Sequence, residues 1–253
     1  MNHAKHPPLR MAGLVALALL VSSPLLSIAG QGGQIRGKVA GFEKLVPDVY
    51  AEAADPKAHR YSWREPSPTV AVAARILAGN PSREICVAAF STDAPKPAEA
   101  AVLVKVTGGR TIPATIVVAP STVLSFKNFD PFPHRLFQLT DGKPDPKWAP
   151  QVTLAMATRD WRAQSPGHFE IRDELFSSVR MHIVVDPNVI GFVYPARDGA
   201  FTMNLPPGTF GTFTLKAFFG GRQVGKDLPG LTLTEKNPTL ELKDAFSVGG
   251  ETP

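Results

Sequence analysis

The chain is almost without cysteine: Cys86 is the only one in 253 residues. A lone thiol excludes an internal disulfide, so packing of apolar side chains must carry the stability. Cys86 lies in "REICVAAF", between Ile85 and Val87. There it reads as a small core residue, with pairing to a second chain as the alternative. Gly-x-Ser-x-Gly, His-Glu-x-x-His and any cysteine pair are also missing, which removes the common hydrolase and zinc patterns. "GGRQVGKD" imitates a phosphate loop, with four residues between Gly220 and Gly225-Lys226. It fails on mechanism. Asp227 replaces the hydroxyl that Mg²⁺ needs, and Leu228-Pro229-Gly230 denies the anion a helix N-terminus. A hairpin turn fits better. Asp173 and Glu174 are adjacent, so on a strand they face opposite ways and make no acid/base pair. No enzymatic activity is expected.

Charge is equally unpatterned. The formal net charge is +5, and the basic residues are scattered without runs or interleaved aromatics. That excludes a nucleic-acid partner. Beyond the first 29 residues no stretch is apolar enough to span a membrane. The start is different. "MNHAKHPPLR" carries Lys5 and Arg10 and no acid, and the apolar run after it ends at Ser27-Ile28-Ala29. This is the pattern of an export signal cleaved before Gly30. No cysteine marks a lipid anchor there. Losing Lys5 and Arg10 leaves a net charge of +3. The expectation is a periplasmic, cell-surface or secreted bacterial protein of about 220 residues, enough for one large or two small domains.

What the sequence has in quantity is punctuation: 25 prolines and 21 glycines. Between them lie short runs of Val, Ile, Thr, Phe and Leu, which predict many strands and few helices. Strands are expected in "QIRGKVAGF", "REICVAAF", "STVLSFKNF", "HRLFQL", "HFEIRDELF", "VRMHIVVD", "GFVYP", "AFTMNLP", "TFGTFTLKAFF" and "TLELKDAF". "AAVLVKVTGGRTIPATIVVA" reads as strands with Gly108-Gly109 as a hairpin turn. "LVPDVYAEA" is a further strand candidate, and "TVAVAARILAG" fits a strand or a short helix. "DPKAHRYSWREPSPT" and "DGKPDPKWAP" read as loops. "RDWRAQ" reads as an exposed recognition loop, or as a solvated turn with Trp161 beneath it. Strands at this spacing argue an all-β sandwich.

One stretch resembles a known family. "PATIVVAPSTVLSFKNFDPFPHRLF" is similar to the first half of plastocyanin-like cupredoxin domains of exported bacterial proteins, where Asn-x-Asp precedes the first copper-binding histidine. Asn128, Asp130 and His134 match that pattern. Asp198-Gly199-Ala200-Phe201 and Pro207-Gly208-Thr209-Phe210 match segments of the second half, and "IRGKVAGF" looks like an opening strand of such proteins. The resemblance covers roughly Ile112 to Phe219. It implies a cupredoxin-like Greek-key β-sandwich with additional flanking strands. The expected division is signal 1–29, a β-rich segment 30–105, the sandwich 106–186, and a β-rich segment 187–253 packing on it.

The resemblance also implies a ligand loop, in the order Cys, His, Met. A blue-copper site needs two imidazoles, a thiolate and usually a weak thioether. With "VRMHIVVD" fixing the register, Asp173 stands in the cysteine position, Phe176 in the histidine position and Val179 in the methionine position. Met181 is two positions late. His134 is then the remainder of a site without its partners, and no cofactor is expected. A metal at His134 with His168, Asp173 and His182 gathered around it is the competing arrangement, since two imidazoles and a carboxylate can bind Zn²⁺ or Cu²⁺. The function expected is a non-catalytic binding or scaffold module of the envelope, its partner an envelope protein or glycan. The alternatives are an atypical copper-binding or electron-transfer protein using His134 with other ligands, and a carbohydrate- or envelope-binding module.

Overall fold

The computed structural model describes residues 32–46, 80–93, 101–140 and 142–249. The export signal, the loop "DPKAHRYSWREPSPT", "TVAVAARILAG" and most of "LVPDVYAEA" lie outside the described residues. Strands in chain order are β1 (Gly32–Ala40), β2 (Ile85–Phe90), β3 (Ala101–Thr107), β4 (Arg110–Ile112), β5 (Thr115–Val118) and β6 (Val123–Asn128). They continue with β7 (His134–Thr140), β8 (Lys143–Pro144), β9 (Gln151–Thr153), β10 (Thr158–Arg162), β11 (Gly167–Asp173) and β12 (Arg180–Val185). The last are β13 (Val189–Val193), β14 (Ala200–Pro207), β15 (Gly211–Phe219), β16 (Arg222–Leu233), β17 (Thr239–Glu241) and β18 (Phe246–Ser247). A single helical turn, α1 (Pro81–Glu84), leads into β2. The protein is all-β.

Two sandwiches are built from four sheets. In the first, the sheet β10-β6-β3-β4 faces the sheet β5-β12-β11-β7-β8, with β9 also paired to β7. Alternation in the sequence decides which side chains meet between them. Leu124, Phe126 and Asn128 of β6 point inward, and Val123, Ser125 and Lys127 do not. Met181, Ile183 and Val185 of β12 point inward from the other side. Val104, Val106, Ile116, Leu136, Trp161 and Ile171 complete this core. Two pairings are parallel, β3 with β6 and β5 with β12. Parallel neighbours cannot be joined by a tight hairpin, so the chain crosses between the sheets.

In the second sandwich, β13-β2-β15-β16 faces β14-β1-β17, with β18 also on β1. Phe201, Met203 and Leu205 alternate inward from β14 and meet Ile85, Val87 and Ala89 of β2. The other face of β2 is buried too. Cys86, Ala88 and Phe90 pack with Phe218 against Val117 of the first sandwich. This explains why "ICVAAF" is an unbroken apolar run: both its faces are covered. Tyr194 Oη donates to the Thr115 carbonyl at 3.0 Å, and Gly220 N donates to Thr115 Oγ1 at 3.1 Å. These bonds tie the two sandwiches at β5.

Several expectations change. A boundary between 105 and 106 would cut β3, because the first sandwich begins at Ala101. The segments before and after it are strands of one sandwich, with β1 between β14 and β17. "RDWRAQ" is neither loop nor turn: β10 pairs with β6 from Thr158 to Arg162, and Trp161 is 3% exposed. Its charges mask a short alternation in which Arg159 and Trp161 share the inward face and only Trp161 is fully buried. "GGRQVGKD" does turn at Gly220-Gly221, with φ of 56° and 74°. The rest of it opens the twelve-residue strand β16. "DGKPDPKWAP" carries the two-residue strand β8. Among the described residues, no helix is long and apolar enough to cross a membrane.

Candidate functional site

His134 opens β7 and Asp173 closes β11, at the same end of the first sandwich. Three pieces of local chemistry build the site around them. Asn128 Oδ1 accepts from Asp130 N at 2.8 Å, closing an Asx turn at the end of β6. Its Nδ2 donates to the Phe132 carbonyl at 2.8 Å and the Thr153 carbonyl at 3.1 Å. One fully buried amide thus fastens the proline-rich loop and the neighbouring β9.

The second piece is the Gly108-Gly109 hairpin turn. Both glycines have positive φ, 60° and 65°, as a two-residue turn of this kind requires. The turn aims two consecutive amides at one carboxylate. Gly108 N donates to Asp130 Oδ1 at 2.6 Å and Gly109 N to Asp130 Oδ2 at 2.9 Å. The third piece is the loop after β11. There Asp173 Oδ1 accepts from Leu175 N at 2.6 Å and from Phe176 N at 3.2 Å.

Between these two carboxylates sits His134, fully buried. Its Nδ1 is 2.6 Å from Asp173 Oδ2, and its Nε2 is 3.1 Å from Asp130 Oδ2. An ionised carboxylate only accepts, so both contacts are hydrogen bonds when both ring nitrogens carry protons. Burial pushes the His134 pKa down, but hydrogen bonds and charges from Asp173 and Asp130 outweigh it and hold the imidazole above its ordinary value. Burial likewise pushes Asp130 up, and the amides of Gly109 and Gly108 together with His134 bring it below the ordinary carboxylate value. Phe132 and Phe176 wall the imidazole, with ring centroids at 5.3 Å and 5.1 Å from it and 4.7 Å from each other.

The other sequence-predicted residues divide into two groups. Asp173 joins His134. His168 and His182 do not. They stack on each other on the opposite face of the same sheet, with centroids 5.5 Å apart. His168 and Asp173 are five residues apart on β11, and an odd separation on a strand means opposite faces. The four therefore cannot gather. Asp130's double role was absent from the sequence reading. Its signal was Gly-Gly in a hairpin, which leaves two amides seeking an acceptor.

No family model matches the chain, and no curated protein matches it. Solved structures similar to part of it include a mutant of amicyanin in its Cu(I) form, 11% identical with a TM-score of 0.31, covering 40% of this chain and 98% of that one. A purple cupredoxin from Nitrosopumilus maritimus is 12% identical with a TM-score of 0.31, covering 34% of this chain and 99% of that one. The chemistry of the site rests on its own residues.

Those residues do not fit a blue-copper ion. Such a site needs a thiolate and two imidazoles. Phe176 and the buried Val179 offer no donor atom. Cys86 lies in the second sandwich, and burial pushes its thiol up to about 12. The carboxylates do not rescue the site. The two ring nitrogens point apart, so Asp130 and Asp173 flank the imidazole instead of converging on one point. Among the described residues, no group of three or more His, Cys, Asp or Glu side chains is placed to hold a metal ion.

Proposed function

We propose that the protein is an exported, non-catalytic β-sandwich module of the bacterial envelope that binds or scaffolds an envelope protein or glycan. On this reading its first sandwich is a cupredoxin-like frame whose copper position has become a closed polar lock. One observation carries the reading: both nitrogens of the buried His134 are taken by carboxylates, each of which also accepts from two backbone amides. A lock of this kind fixes the loops at one end of the sandwich, which is how a rigid scaffold presents a binding surface.

The test uses the purified mature protein. N-terminal sequencing of the exported form is expected to begin near Gly30. With Cu²⁺ the protein should show no strong thiolate-to-copper band in the visible. Thermal melts of wild type and His134→Gln, with and without Cu²⁺ or Zn²⁺, should show no metal-dependent gain that requires His134. A gain that His134→Gln abolishes would replace the scaffold reading with a metal protein.

A further inference from the structure

The outer face of the sheet β10-β6-β3-β4 gathers residues that are far apart in the chain. Leu103 and Lys105 of β3, Arg110 and Ile112 of β4, Lys127 of β6 and Phe129 just past it all alternate onto this face, because Val104, Thr111 and Phe126 are buried on the other. Register joins them into one patch. Lys105 stands between Ile112 and Lys127 on the neighbouring strands. Leu103 lies two residues before Lys105, and Phe129 two residues after Lys127. Leu103, Ile112 and Phe129 are 50%, 39% and 39% exposed, unusual for large apolar side chains. Lys105 and Lys127 are side by side, and among the described residues no carboxylate bonds to either. Like charges so placed destabilise a sheet. Both instead lean on one ring, with Nζ 6.0 Å and 5.2 Å from the Phe129 centroid. A carboxylate on the same face, Asp160, accepts from Ser125 Oγ at 2.7 Å.

We propose that this face docks the protein, reversibly, on the surface of an anionic lipid bilayer. Its charge selects an anionic occupant. Its layout selects a bilayer over an acidic protein. A protein interface buries apolar side chains at its centre, depletes lysine there and keeps a polar rim. Here the order is inverted: Lys105 and Lys127 hold the centre, with Leu103, Ile112 and Phe129 around them. A lipid surface accepts that order. Lysine stems lie along apolar surface while their ammonium groups stay in water, beside the lipid phosphates. The apolar side chains enter the boundary between headgroups and acyl chains, and binding grows with the apolar area buried plus the charge attraction. The sheet is already rigid, with Val104, Phe126 and Trp161 packed behind it, so docking has only side chains to order. The patch side chains form no bond with His134 or Asp173, so docking does not depend on the lock.

The experiment floats the purified mature protein with vesicles of phosphatidylcholine alone and with vesicles of equal parts phosphatidylcholine and phosphatidylglycerol. Wild type is compared with the double variant Lys105→Gln, Lys127→Gln and with Leu103→Ser. A control, Lys236→Gln with Lys243→Gln, removes the same charge from exposed positions of the second sandwich. Wild type should bind the anionic vesicles, lose affinity as salt screens the charges, and leave phosphatidylcholine alone. Removing both patch lysines should weaken binding about 25-fold, at about fivefold for each lysine near an anionic surface. Leu103→Ser should weaken it roughly fivefold, since half of that side chain is left to bury. The control should bind as wild type does. All these positions lie at the surface, so melting points should stay near the wild-type value and show each variant folded. Soluble poly-glutamate replaces the vesicles in a parallel titration. Binding to it as tight as to anionic vesicles, with Leu103→Ser at wild-type strength, would assign the face to an acidic protein and overturn the bilayer. No binding to the anionic vesicles, or an equal loss in the control, overturns it as well.

Discussion

Each end of strand β11 lies beside histidine, His134 of β7 at Asp173 and His182 of β12 at His168, and the two ends are built in opposite ways. At the Asp173 end the imidazole is sealed, both nitrogens are committed, and four backbone amides hold the two carboxylates. At the His168 end two imidazoles meet on an outer face, with His182 Nδ1 3.4 Å from His168 Nε2. The difference shows what a histidine's surroundings decide. Buried between acceptors, it is a charged structural pin. Near the surface beside a second imidazole, it bonds to that ring instead. The two ends also predict different responses to the same change.

Removing the pin should have the largest effect. His134→Ala leaves two buried carboxylates without their shared partner, and breaking a buried ion pair costs about 3–5 kcal/mol. The thermal midpoint should fall on the order of 10 °C, with or without metal, while His168→Gln stays within about 0.5 kcal/mol of wild type by urea unfolding. Equal losses at both ends would erase the contrast. Asp173→Asn should come next, at about 1–3 kcal/mol, because one charged acceptor is lost. It should also lower the His134 pKa, which titration of its ring proton resonances would follow.

The pH dependence sharpens the same comparison. His134 is raised above 6.5 in the folded state, so its contribution is complete below about 6.5 and lost as pH rises through the folded value. Asp130 is lowered below 3.8, so its contribution is present above about 3.8 and lost as pH falls through the lowered value. These two groups together favour the fold most between those limits. Unfolding measured across pH should show stability declining on the alkaline side in wild type and in His168→Gln, but not in His134→Ala. The smallest effect belongs to Cys86→Ala. The thiol is fully buried and pushed up to about 12 by desolvation. Native labelling should be slow, and the substitution should cost about 1 kcal/mol. Fast labelling, or a dimer that disappears on reduction, would place the thiol at the surface.

Much of the frame was legible in the sequence because its chemistry is local. Asn128 two residues before Asp130 is an Asx turn written in the chain, and Gly108-Gly109 is a hairpin turn of one type. The runs "FTMNL" and "RMHIVV" are strands as expected. What stayed hidden depends on pairing between distant segments. Asp173 meets His134 only because β11 lies beside β7, with Asp173 opposite Leu136. That register is not a local property. β10 escapes a sequence reading because Arg159 hides its inward face: it lies on the same side as Trp161, donates to the Leu136 carbonyl of the facing sheet and stacks 3.7 Å from the ring of Trp148. β16 was missed because Gly225 and Pro229 interrupt it, yet it runs beside β15 through two register shifts. The division of the histidines was available in principle: five residues separate His168 from Asp173, and a strand places them on opposite faces.

The central claim is that His134 is a doubly protonated pin between two carboxylates. The most direct measurement is nitrogen-15 NMR of its imidazole in the purified protein at neutral pH, before and after Zn²⁺. The account predicts protons on both ring nitrogens and no change when Zn²⁺ is added. A His134 ring that has lost a proton at neutral pH, or that loses one on addition of Zn²⁺, would contradict it.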